Sequence, residues 1–81
     1  MSRVKDVVEV IARTLADHPD QVRVLEAEHR GQLVVELFMA PGDLGRMIGR
    51  QGRTAHAVRL LADLAAERDG HRVTVEFRDS D

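Results

Sequence analysis

Asp43-Leu44-Gly45-Arg46-Met47-Ile48-Gly49-Arg50-Gln51-Gly52-Arg53 is the stretch that decides how this 81-residue chain is read. Two glycines three apart, with long polar side chains between them, make a tight turn with no side-chain wall on either flank. A bare G-x-x-G string marks no more than a corner between two helices. Three additions give it content: helical patterns on both sides, the apolar Ile48 immediately before it, and arginines clustered around it. Other glycine motifs fail here. A P-loop needs G-x-x-x-x-G-K-[ST], and no lysine follows these glycines. A dinucleotide fingerprint needs G-x-G-x-x-G after a strand, and Gly45, Gly49 and Gly52 have the wrong spacing.

On the N-terminal side of this stretch, Pro41-Gly42-Asp43 breaks a preceding strand, and Asp43 is placed to cap a short helix running to Ile48. On the C-terminal side, Arg53 to Arg68 reads as a longer helix. Its apolar face is Ala55, Val58, Leu61, Ala62 and Ala65, widened by Leu60 and Leu64. Asp69-Gly70 supplies a glycine stop. His71 to Arg78 alternates as a strand, with Val73, Val75 and Phe77 inward and Arg72, Thr74 and Glu76 outward.

Toward the beginning of the chain, Arg3 to Ala16 is an amphipathic helix. Val4, Val7, Val8, Ile11, Ala12 and Leu15 share one face, and Ser2 is placed as its N-cap. His18-Pro19-Asp20 ends it, because the residue before proline avoids the α region. Two strands follow, Gln21 to His29 and Gln32 to Met39, joined by a turn at Arg30-Gly31. In the second, Leu33, Val35, Leu37 and Met39 lie on one face; in the first, the facing stays open. The order is α-β-β-α-α-β, an α+β domain spanning residues 1–81 with no repeats or linkers.

Composition excludes several functions. With no cysteine, disulfides, thiolate catalysis and sulfur-bound zinc are ruled out, and His18, His29, His56 and His71 lack metal-ligand spacing. No cofactor or metal is expected. No paired acid and base and no Ser-His-Asp set stands near the glycines, so no enzyme is read here. The chain carries no membrane-spanning run and no leader pattern, and a cytoplasmic protein is expected. Phe38 and Phe77 are the only aromatic residues, which disfavours binders that stack bases on aromatic rings.

Net charge is −2, which alone argues against a polyanionic partner. The distribution argues the other way. From Leu44 to Ala62 the charged residues are Arg46, Arg50, Arg53 and Arg59, a +4 segment on a body of −6. A focused positive patch on an acidic body attracts a polyanion locally. A helix starting at Arg53 would add the positive end of its dipole at the same place.

Residues 43–53 resemble the I-G-x-x-G core of KH domains, and nearly the whole chain resembles the KhpA family of small stand-alone bacterial KH proteins. The resemblance implies a type II KH fold: a three-stranded mixed sheet backed by three helices, with the first and last core strands side by side and parallel. It implies binding of single-stranded RNA, about four nucleotides in a groove between the helices and the sheet edge. Gly49, Arg50, Gln51 and Gly52 would then contact the sugar-phosphate backbone, with Arg46, Arg53 and Arg59 adding charge. Leu44 and Ile48 would form an apolar floor under the bases. It further implies an RNA chaperone or post-transcriptional regulator linked to cell-wall synthesis and cell shape. The implied partner is a second copy or a KhpB-like KH/R3H protein. A reading of another class also stands: a protein-interaction or dimerisation module with a vestigial loop, its contact made by outward-facing Leu60 and Leu64. Packing of those leucines against the first helix is the alternative.

Overall fold

The computed structural model describes residues 3–80; the expected Ser2 cap lies outside them. Helix α1 (Arg3–Leu15) is followed by a single 3-10 turn, Pro19–Gln21. The strands are β1 (Arg23–His29), β2 (Gln32–Met39) and β3 (Arg72–Asp79), and helix α2 (Pro41–Arg68) connects the last two.

Each boundary has a local cause. Pro19 closes its turn through the Val22 N–H, which donates to the Pro19 carbonyl at 3.2 Å, so β1 begins later than the alternation alone suggests. Arg30 and Gly31 have φ of 54° and 80°, the two positive values that a two-residue hairpin turn needs to match strand twist. Pro41 sits in the first turn of α2, where its missing N–H costs nothing. At the far end Gly70 has φ 74°; its N–H donates to the Glu67 carbonyl and the His71 N–H to the Ala66 carbonyl, at 3.1 and 2.9 Å. That pair of bonds is a Schellman stop, as the glycine implied.

The sheet order is β1-β2-β3, with β1 antiparallel and β3 parallel to β2. This bears out the implied pairing: the core strands joined by the long crossover, β2 and β3, lie side by side and parallel, with β2 central and β1 and β3 as the two edges. The hairpin turn is too short to let β1 leave its partner, so β3, arriving through the long α2 crossover, takes the free side of β2.

Leu33, Val35, Leu37, Met39, Val24 and Val75 are buried beneath the helices, which places the facing of β1. Val4, Val8 and Ala12 of α1 and Val58, Ala62, Ala65 and Ala66 of α2 cover them. The opposite sheet face is open to solvent, as antiparallel and mixed sheets permit. There Glu36 and Glu76 stand directly across from each other, and Arg78 bridges them at 2.8 and 2.9 Å, removing the repulsion of like charges in register.

Two assignments of helix faces change. Leu15 is 48% exposed and Leu61 44% exposed, so neither belongs to the core. Ala66 takes the place expected for Leu61, because the buried stripe of α2 runs through small residues that let the helix lie close to the sheet. Leu60 and Leu64, at 52% each, face outward rather than packing on α1.

Candidate nucleic-acid interface

The two expected helices are joined without a loop. Helical geometry runs through Pro41–Arg68, interrupted only where Gln51 and Gly52 take φ of 64° and 71°. Two successive left-handed residues turn the axis sharply, so residues 41–50 and 53–68 form two limbs of one bent element.

The two glycines of the corner differ in kind. Gly52 is required by its positive φ, which costs a side-chain-bearing residue about 1–2 kcal/mol. Gly49 has no positive φ, and a Cβ added there would meet nothing within 4 Å. Neither backbone strain nor packing in the folded chain requires a glycine at 49. Gly42, Gly45 and Gly49 recur at helical spacing on the first limb and, with Leu15, Met39, Met47 and Thr54, line a groove of about 610 Å³. The first limb thus presents bare main chain along one side.

Asp43, expected as a cap, does something else. The cap position belongs to Ala40, without a side-chain bond. Asp43 is 4% exposed and accepts from the main-chain N–H groups of Asp17 and His18 at 3.1 and 3.0 Å. Arg46 Nη2 donates to it at 2.8 Å, and His18 Nδ1 lies at 3.5 Å. Burial pushes this carboxyl upward, but the two N–H groups, the guanidinium and His18 together outweigh it and hold the pKa at about 2, below the ordinary 3.8. Asp43 therefore ties the end of α1 to the first limb of α2. Nothing in its local sequence signals this, since the partners lie about 25 residues earlier.

The candidate residues divide accordingly. Arg46 is held between Asp43 and Asp17, the latter at 3.1 Å, so much of its charge is locally balanced. Arg53 and Gln51 are exposed at the corner. The Arg50 main chain belongs to α2, and its side chain lies outside the described residues. Leu44 is half-buried against the core while Ile48 is 47% exposed, so of the two only Ile48 offers free apolar surface. Arg59 sits apart from the corner: its guanidinium carbon lies 4.7 Å from the centroid of the Phe77 ring on β3, a cation–π contact. Sequence reading missed the cleft beside that contact, lined by Arg59, Asp63 and the β3 residues Val73 to Glu76. The available signal was Asp63 four residues after Arg59, one turn along the same helix face.

Among the described residues, no helix is long and apolar enough to cross a membrane, and no three His, Asp or Glu side chains gather as a metal set.

A mixed β1-β2-β3 sheet with α1 and a bent crossover helix on one face, the bend carrying Gly-x-x-Gly, defines the KH class in its type II form. The KhpA/KhpB KH domain model matches residues 5–77, and the chain belongs to that family. The RNA-binding protein KhpA of Aquifex aeolicus is 43% identical over 77 residues, covering 95% of this chain and 98% of that one. The RNA-binding protein KhpA of Halalkalibacterium halodurans is 45% identical over 76 residues, 94% of this chain and all of its own length. Among solved structures, Era in complex with MgGDPNP and nucleotides 1506–1542 of 16S ribosomal RNA superposes with a TM-score of 0.64. Identity there is 20%, over 94% of this chain and 29% of that one, so what the two share is the fold.

Proposed function

We propose that this chain is a non-catalytic binder of single-stranded RNA that grips the sugar-phosphate backbone at the Gly49–Gly52 corner. The observation that carries the reading is Gly49: a glycine that the fold does not need, on a bare helix face, beside exposed Arg53. A missing side chain there permits close approach of another backbone. Relatives at 43–45% identity that are named RNA-binding proteins support it. In this reading Gly49, Arg50, Gln51, Gly52 and Arg53 hold phosphates, Ile48 lies under the bases, and Arg46 chiefly orders the first limb. The setting is the cytoplasm, and the role is that of an RNA chaperone or post-transcriptional regulator serving cell-wall synthesis and cell shape.

Two to four arginine–phosphate contacts give a slope of log affinity against log salt of about −1.5 to −3, at roughly 0.7 per contact on single strands. So shallow a slope means weak binding by one copy, and a second domain would raise it through effective concentration. Ala57, Leu60, Leu61 and Leu64 provide the surface: an exposed stripe at i, i+3, i+4, i+7 on the solvent side of the second limb. We assign it to pairing with a second copy, or with a KhpB-like KH/R3H protein.

The test replaces Arg50 and Gln51 with Asp and measures RNA affinity alongside circular dichroism. A folded double mutant is expected to lose RNA binding; unchanged affinity would remove the corner from the interface. A Leu60→Asp/Leu64→Asp variant, followed by light scattering, tests the stripe. If wild type and variant are equally monomeric, the pairing surface is wrong.

A further inference from the structure

We propose that the cleft between the second limb of α2 and the free edge of β3 reads a guanine base, with Arg59 and Asp63 as the specificity determinants. This deepens the RNA-binding reading and rests on it. The cleft is an open depression of about 400 Å³, lined by Arg59, Asp63, Val73, Thr74, Val75 and Glu76.

Three features suit a base rather than a phosphate. Asp63 borders the cleft with no cationic partner among the described residues and repels a second anion. Arg59, whose guanidinium carbon sits 4.7 Å from the Phe77 centroid, brings a planar group that can stack on a base and N–H groups that donate to acceptors. Because β3 is an edge strand, one row of its main-chain N–H and C=O groups has no strand partner.

The choice of guanine follows from the donor and acceptor sets. Among the described residues Asp63 makes no hydrogen bond or ion pair, and Arg59 makes only its ring contact. A carboxylate only accepts and a guanidinium only donates. Guanine alone offers two neighbouring donors, N1–H and N2–H, to a carboxylate, together with O6 and N7 as acceptors for an arginine. Adenine and cytosine present one amino donor beside an acceptor, and uracil one imino donor between two carbonyls, so each leaves an Asp63 oxygen unmatched.

Position along the helix links this cleft to the corner. Gly52, His56, Arg59 and Asp63 recur at i, i+4, i+7 and i+11, so they line one face. Arg59 then lies about 10 Å along the axis from Gly52, at 1.5 Å per residue. A strand gripped at the corner and running down this face carries a neighbouring base to the cleft.

The experiment measures fluorescence anisotropy of the full chain with U-tract decamers carrying a single central G, A, C or U, at fixed salt. The G decamer is expected to bind about tenfold more tightly than the others. Asp63→Asn, at an exposed position that circular dichroism should show still folded, is expected to abolish that preference. Arg59→Lys, which keeps the charge but loses the planar face, is expected to reduce the preference as well. Equal binding of all four decamers by the wild type overturns the guanine assignment and leaves RNA binding intact. A G preference that survives Asp63→Asn overturns the cleft as its source. No binding to any decamer overturns RNA binding itself, and this inference with it.

Discussion

The two limbs of α2 use opposite means to stay helical. Residues 53–68 hold Ala55, Ala57, Ala62, Ala65 and Ala66 with three leucines, a composition of high intrinsic propensity, and bury Val58 and four of the alanines. Residues 41–50 contain Gly42, Gly45 and Gly49, each costing about 1 kcal/mol relative to alanine in a helix interior. This first limb is held by Met47 in the core and by the Asp43 tie to α1. The lesson is a division of labour: the second limb is held by its own helix propensity and core packing, and the glycine-rich first limb, which carries the proposed site, is held from outside.

That contrast can be broken first at Asp43. Asp43→Ala is expected to give the largest loss of thermal stability, since it leaves the Asp17 and His18 N–H groups without their acceptor and removes one of Arg46's two carboxylate partners. The pH dependence has a definite sign. Because the folded pKa lies near 2 and the unfolded value near 3.8, the stabilisation is fully present above about pH 4 and is lost as pH falls toward 2. Asp43→Asn should flatten the acid limb of a stability-versus-pH curve in that window. An unchanged acid limb would mean that the tie contributes nothing.

Next comes Val58, at 2% exposure in the second limb. Val58→Ala is expected to cost about 2 kcal/mol, from two methyl groups and the cavity they leave, read as a shift in urea midpoint at constant m. Its RNA affinity, measured under conditions where the variant is folded, should match wild type.

The corner itself gives smaller effects of opposite sign. Gly52→Ala should destabilise by about 1–2 kcal/mol, because alanine resists the left-handed region. Gln51→Gly should stabilise by up to about 1 kcal/mol by releasing the same strain at φ 64°. If both changes are neutral, the bend is not held as described.

The smallest stability effect carries the sharpest functional reading. Gly49→Ala adds a methyl to empty space on a helical backbone, so stability should rise by about 0.5–1 kcal/mol. RNA affinity should nevertheless fall. A variant both more stable and equally tight would show that the bare face of the first limb serves nothing.

Much of this was legible beforehand because it is local. Alternation in Gln32 to Met39, apolar periodicity in Arg3 to Ala16 and the punctuation at Arg30-Gly31, Pro41 and Gly70 specify elements through a few neighbouring residues, and each formed near its expected place. The Gly49–Gly52 corner was equally readable. The core face of the second limb was only partly so. Leucines outrank alanines by hydrophobicity, but close approach of the helix to the sheet favours Ala62, Ala65 and Ala66, and leaves Leu60, Leu61 and Leu64 outside.

By itself, then, the sequence determined the elements, their order and the chemistry of the acid-free arginine segment, since those depend on backbone preferences and side-chain types acting over a turn or two. Tertiary structure decided the rest: Asp43 as the anchor between helices, Arg46 drawn into ion pairs, and Arg59 and Asp63 facing the β3 edge. Each of these joins residues far apart in the chain. Such contacts depend on which surfaces the sheet and crossover bring together, and no local pattern records that.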